Sequence, residues 1–94
     1  MAEARDRTEN KAQDKRLAII AIVVENTDVV AELNALLHEY SACIIGRMGI
    51  PYREKGINII SVAVDAPENE ITALSGKIGR LAGVSTKTAY SRIK

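Results

Sequence analysis

The run Leu17-Ala-Ile-Ile-Ala-Ile-Val-Val24 is apolar at every position and mostly β-branched. A strand with one wet face alternates apolar and polar residues; a strand apolar in both phases is covered on two faces, which places this run at the centre of a sheet. Gly56-Ile-Asn-Ile-Ile-Ser-Val-Ala-Val64 repeats the pattern and predicts a second central strand. With 94 residues in all, two such strands dominate what the chain can become. A single small domain follows, with a core of Ile, Val, Leu and Ala, since Trp and Phe are absent and Tyr40, Tyr52 and Tyr90 are the aromatic residues.

The segments between the central strands read as helices and edge strands. After Asn26, Thr27 or Asp28 as a cap, Val29, Val30, Leu33, Leu36, Leu37 and Tyr40 recur at three- and four-residue spacing and predict a helix. Ser41 to Ile50 is expected to be a strand, paired as an antiparallel hairpin with Gly56–Val64 through a loop around Pro51 and Tyr52. Asp65-Ala-Pro-Glu68 carries the signature of a helix start, with Asp65 as the cap and Pro67 in the first turn. The stripe Ile71, Leu74, Ile78 and Leu81 continues that helix until Gly83. Gly76 and Gly79 inside it cost about 1 kcal/mol each relative to alanine, which points to close approach by a neighbouring element or a ligand, or to a frayed final turn that tolerates them. Val84, Thr86, Thr88 and Tyr90 alternate with Ser85, Lys87, Ala89 and Ser91 as a last strand.

The order is therefore βαββαβ, an α+β ferredoxin-like sandwich whose two apolar strands fall in the two central places of a four-stranded antiparallel sheet. Both helices cover one face. The other face, apolar on the central strands, needs a partner, and a homodimer or tetramer formed through that sheet face is expected, with Ala21, Ser61 and Ala63 permitting close approach. Residues 16–94 form this domain. Residues 1–15 alternate acids and bases with nothing larger than alanine to bury after Met1, and are expected to be a disordered or weakly ordered tail.

A net charge of +1 opposes a strongly electrostatic partner, and the central strands lack the aromatics on which RNA bases stack, so direct nucleic-acid binding is not expected. No run is long enough to span a bilayer and none resembles a signal peptide; the expectation is a cytoplasmic protein with no membrane partner. Acids concentrate in residues 17–46 and bases in residues 77–94, as two solvated faces, an acid-to-base contact between subunits or an anion site.

Catalytic chemistry is poorly served. His38 is the single histidine, and no nucleophile, base and orienting group can be assembled, so no enzyme and no cofactor are expected. His38 and Cys43 are the soft metal ligands; two fall short of the four of a structural zinc site unless subunits share them, and the plainer reading is an exposed histidine and a core thiol. The most particular stretch is Gly46 to Gly56, which holds three glycines, a proline, three cations and a tyrosine in eleven residues. Gly46, Arg47, Gly49, Tyr52, Arg53 and Lys55 are the candidate ligand-binding residues, because glycine lets backbone approach closely and arginine grips an anion with two N–H groups. The same residues would also serve a plain hairpin.

Ile45-Gly-Arg-Met-Gly-Ile-Pro-Tyr-Arg-Glu-Lys-Gly-Ile57, followed by Leu74-Ser-Gly-Lys-Ile-Gly-Arg-Leu81 and Gly83-Val84, resembles the iron-only hydrogenase system regulator family. The likeness runs from about Arg16 to Ile93. It implies an ACT-like, ferredoxin-like domain similar to the sensing domain of the nickel-responsive repressor, forming homo-oligomers, and a regulatory rather than enzymatic role. The chain departs from that sensor in keeping only His38 and Cys43 of a nickel-binding set, and from amino-acid-binding ACT domains in carrying Glu25-Asn26-Thr27-Asp28 where glycine is common. The function expected is a regulatory module that oligomerises and binds a small anionic effector or a partner protein; the alternative is an assembly protein without a ligand.

Overall fold

The computed structural model describes residues 14–92, so the expected tail lies almost wholly outside the described residues. Strands β1 (Lys15–Val24), β2 (Ile44–Tyr52), β3 (Ile57–Pro67) and β4 (Val84–Tyr90) alternate with helices α1 (Val30–Glu39) and α2 (Glu68–Gly79). The sheet order is β2-β3-β1-β4, antiparallel throughout, so the two strands apolar in both phases are the central ones. Even-numbered residues of β1 and β3 face the helices. Ile20, Ile22, Val24, Val62 and Val64 are buried there against Leu33 and Leu37 of α1 and Ile71, Leu74 and Ile78 of α2. No polar or charged residue is buried among the described residues, so packing of aliphatic side chains and backbone pairing hold the domain.

Four boundaries differ from the sequence expectation, each for a physical reason. The second helix ends at Gly79, short of Leu81 and Gly83, because the chain passes into tight turns in which Leu81 N–H donates to the Ile78 carbonyl at 3.1 Å and Val84 N–H to the Leu81 carbonyl at 3.3 Å. Ser41–Cys43 is a turn of 3-10 helix rather than the start of a strand; Cys43 N–H donates to the Tyr40 carbonyl at 2.9 Å, and Cys43 is half-buried at this corner rather than in the core. Asp65 does not cap α2. It pairs with Leu17 inside β3, which runs on to Pro67, and α2 begins without a side-chain cap. Continued pairing of β3 with Lys15, Arg16 and Leu17 outweighs a local capping signal, because each added residue pair brings ladder hydrogen bonds and a cap brings one. Pro51 and Tyr52 belong to β2, and the hairpin turns at Arg53–Gly56, where Gly56 takes φ 66°.

The first loop is built as expected: Asn26 Oδ1 accepts from Asp28 N–H at 3.0 Å, starting a 3-10 turn at Thr27–Val29 that leads into α1. This loop leans on the one before β4, where Glu25 N–H donates to the Gly83 carbonyl at 2.7 Å. Of the two glycines of α2, Gly79 shows the close approach, since a Cβ there would lie 3.2 Å from Thr86 Cγ2 of β4, while one at Gly76 would meet only the tip of Arg80 at 4.0 Å. Arg16 ties the layers together, donating to Glu68 at 3.1 Å while its guanidinium lies 4.3 Å from the Tyr90 ring centre. Among the described residues, no helix is long and apolar enough to cross a membrane.

Candidate functional site

Strand geometry divides the glycine- and cation-rich stretch between two faces. A β-bulge between Ile44 and Gly46 resets the phase of β2, so that Gly46, Met48, Ile50 and Tyr52 stand opposite Ala63, Ser61, Ile59 and Ile57, on the face away from the helices. Arg47 and Gly49 stand opposite the buried Val62 and Ile60 and lie on the helix side. Arg53 and Lys55 occupy the turn beyond the strand ends. The six candidate residues are thus not one cluster: Gly46 and Tyr52 lie on the open face, Arg47 and Gly49 under α1, and Arg53 and Lys55 at the tip.

The open face is the larger feature. Ile19 is 50% exposed, Met48 70%, Ile45 64% and Ile50 59%, with Ile59 and Tyr52 close behind. Small residues Ala21, Ser61, Ala63 and Ala89 lie between them, and a depression of about 290 Å³ opens where Ile19, Ile45, Ala63 and Ala89 meet. Lys87 and Asp65 stand on the same face, opposite Ala21 and Leu17. The Tyr52 phenol is held above its ordinary range, chiefly because its O–H donates a hydrogen bond to the Glu54 carboxylate.

On the helix side, the Arg47 guanidinium donates to Asn34 Oδ1 of α1 at 3.1 Å. Arg47, Asn34, His38 and Ser41 line one depression with Leu37 and Ile44. Asn34 and Ser41 escaped the sequence reading, though the spacing 34, 37, 38, 41 marks one side of a helix and its continuation. A separate groove between the helices holds Glu32, Glu39, Lys77 and Arg80, so the acids and bases segregated along the chain meet within one subunit. There Lys77 Nζ lies 3.6 Å from Glu39 and 5.0 Å from the Tyr40 ring centre. Hydrogen bonding with the Tyr40 hydroxyl, with Glu39 adding to it against some desolvation, keeps the lysine protonated beyond its usual range.

Within the subunit, Cys43 and His38 have different surroundings: the thiol donates to Glu70 Oε1 of α2 at 3.1 Å, and His38 lines the Arg47 depression. Among the described residues, no group of three or more His, Cys, Asp or Glu is placed to hold a metal. Desolvation, then the Glu70 carboxylate, push the Cys43 thiol above its ordinary pKa. Alkylation of Cys43 by iodoacetamide should therefore rise with pH later than that of a free cysteine peptide. Glu70→Ala should move the profile only part of the way back, because desolvation remains; a profile equal to the peptide's in the unsubstituted protein would refute the assignment.

Four antiparallel strands in the order β2-β3-β1-β4, with two helices on one face, define the ferredoxin-like, ACT-like class of α+β domain. Residues 16–88 match the family model described as "TM1266-like: Iron-only hydrogenase system regulator, putative", and the chain belongs to that family. It is similar to the structure of an uncharacterized protein, TM1266 from Thermotoga maritima, with 38% identity, a TM-score of 0.80, and coverage of 83% of this chain and 99% of that one. It also resembles part of a formyltetrahydrofolate deformylase from Pseudomonas putida KT2440, at 14% identity and a TM-score of 0.56, covering 78% of this chain and 28% of the deformylase; that likeness concerns the fold alone. No curated protein matches the chain.

Proposed function

We propose that the chain is a non-enzymatic regulatory module of the hydrogenase-system type, which self-associates through the open face of its sheet and responds to a small effector or partner protein held by the β2–β3 hairpin region. Membership of a family described as regulators supports the first part. The observation that carries the second is the apolar strip of Ile19, Ile45, Met48, Ile50 and Ile59, since an exposed patch of this kind on a small domain marks an association surface. A second copy suits it in particular. Lys87 and Asp65 give the face both signs of charge, so two copies related by a twofold axis could pair them, and the depression beside Ala63 and Ala89 has the apolar lining that aliphatic side chains of a second copy need. A pure assembly role is the second reading, favoured by one observation: Gly46 and Tyr52 share that face with Met48 and Ile50.

Native mass spectrometry on protein purified without added ligand tests both. A dimer or tetramer carrying a small extra mass is the expected result for the effector-binding module. A bare oligomer shifts the weight to assembly, and a monomer at micromolar concentration overturns self-association.

A further inference from the structure

Helix α1 sorts its polar side chains by charge. Glu32 and Glu39 line the groove shared with α2, whereas Asn34 and His38 face β2 across a depression of about 430 Å³ that no carboxylate lines. Arg47 carries the full positive charge there. One of its five N–H donors goes to Asn34, which fixes the guanidinium without neutralising it and leaves other donors for a ligand. His38 and Ser41 add polar groups at the rim, over a floor of Leu37 and Ile44. A second depression, of about 240 Å³, begins at the same Asn34 and Arg47 and runs along β2 over Gly49 and Pro51 to Ile60. Gly49 keeps it open, since a side chain there would stand over Ile60, 3.9 Å away at its first carbon.

We propose that Arg47, Asn34, His38 and Ser41 bind a small oxyanion, a carboxylate or phosphate group, whose short apolar body lies along Gly49 and Ile60. A cation held by a neutral amide rather than by a carboxylate remains electrostatically available, and guanidinium donors fit either oxyanion in two-point contact. The two adjoining depressions supply what a ligand of mixed character needs: charge at one end and apolar surface at the other. The inference rests on the effector-binding reading and narrows it from the hairpin as a whole to its helix side, away from the Arg53–Gly56 tip and from the open face.

The full chain, labelled with nitrogen-15, would be titrated by NMR with inorganic phosphate and separately with butyrate, at constant ionic strength held by chloride. Saturable shifts of the Asn34, His38, Ser41 and Arg47 amides are expected with one or both anions, with Gly49 and Ile60 following for butyrate alone; acetate against phosphate, neither with a long body, then identifies the preferred headgroup. Arg47→Gln should weaken binding at least tenfold while its spectrum stays dispersed, and Arg53→Gln should leave it unchanged. Shifts that fail to saturate, that centre on Arg53 and Lys55, or that survive Arg47→Gln overturn the site. An effector retained in the mass spectrum with no perturbation around Arg47 would refute this location but not the regulatory reading; saturable binding in a strictly monomeric protein would do the reverse for self-association.

Discussion

Alanine at position 83 is expected to lower the free energy of unfolding by about 2–4 kcal/mol, against about 1 kcal/mol for alanine at position 56. Both glycines have left-handed backbone, with φ of 72° at Gly83 and 66° at Gly56, so both substitutions incur the cost of placing a Cβ residue there. The surroundings differ. At Gly56 the new methyl enters open space, while at Gly83 it would stand 2.7 Å from Asn26 Cβ and 3.3 Å from Asn26 N. Backbone atoms cannot swing aside as a side-chain tip can, so Asn26 must retreat. That retreat takes with it the Asn26 cap on Asp28 and the Glu25–Gly83 hydrogen bond, which join the loop before α1 to the loop before β4. Urea denaturation of the two variants decides it: a lower midpoint at unchanged slope, much larger for Gly83→Ala than for Gly56→Ala, is the expected pattern. Equal losses would mean that the contact with Asn26 relaxes freely.

Gly83 also shows which parts of the molecule could be read in the chain. A glycine after a helical stripe announces a helix end, yet α2 stops at Gly79 and Gly83 instead takes the left-handed turn before β4, and its contact with Asn26, far away in sequence, is set by tertiary packing. The same division holds elsewhere. Leu17–Val24 and Gly56–Val64 declare themselves central strands because burial on two faces leaves no polar phase, and the sheet places them so. Asp65-Ala-Pro-Glu68 misleads because a capping signature is local, whereas the strand extension that replaces it depends on Lys15–Leu17 some fifty residues earlier. At the candidate site, composition groups six residues of the Gly46–Gly56 stretch that the alternation of β2 divides, Arg47 and Gly49 on one face and Gly46 and Tyr52 on the other. What the sequence did not disclose was the bulge at Ile44/Gly46, which sets the face each set takes, or the reach of Arg47 to Asn34.

Adjacent isoleucines of β1 give the sharpest test of the two-faced sheet. Ile20 has no exposed surface and packs in the core, so Ile20→Ala removes apolar atoms and leaves a cavity that the fixed strands on either side cannot close; a loss of about 3–4 kcal/mol is expected. For a domain of this size that is a large share of a total stability of about 5–10 kcal/mol. Ile19 is half exposed in the isolated subunit, and Ile19→Ala should cost less than about 1 kcal/mol of the subunit's own stability. Under the proposed self-association, its larger effect falls on assembly. If two copies bury Ile19 between their sheets, the melting temperature of the unsubstituted protein rises with concentration, as binding linked to folding requires, and Ile19→Asp abolishes that dependence while leaving the dilute-limit stability nearly intact. Thermal unfolding followed by circular dichroism over a hundredfold range of concentration separates the cases. A large concentration-independent loss in Ile19→Ala would place Ile19 in the subunit core, contrary to the register of β1 against β3 and β4; a melting temperature that never moves with concentration would remove the second copy from the open face.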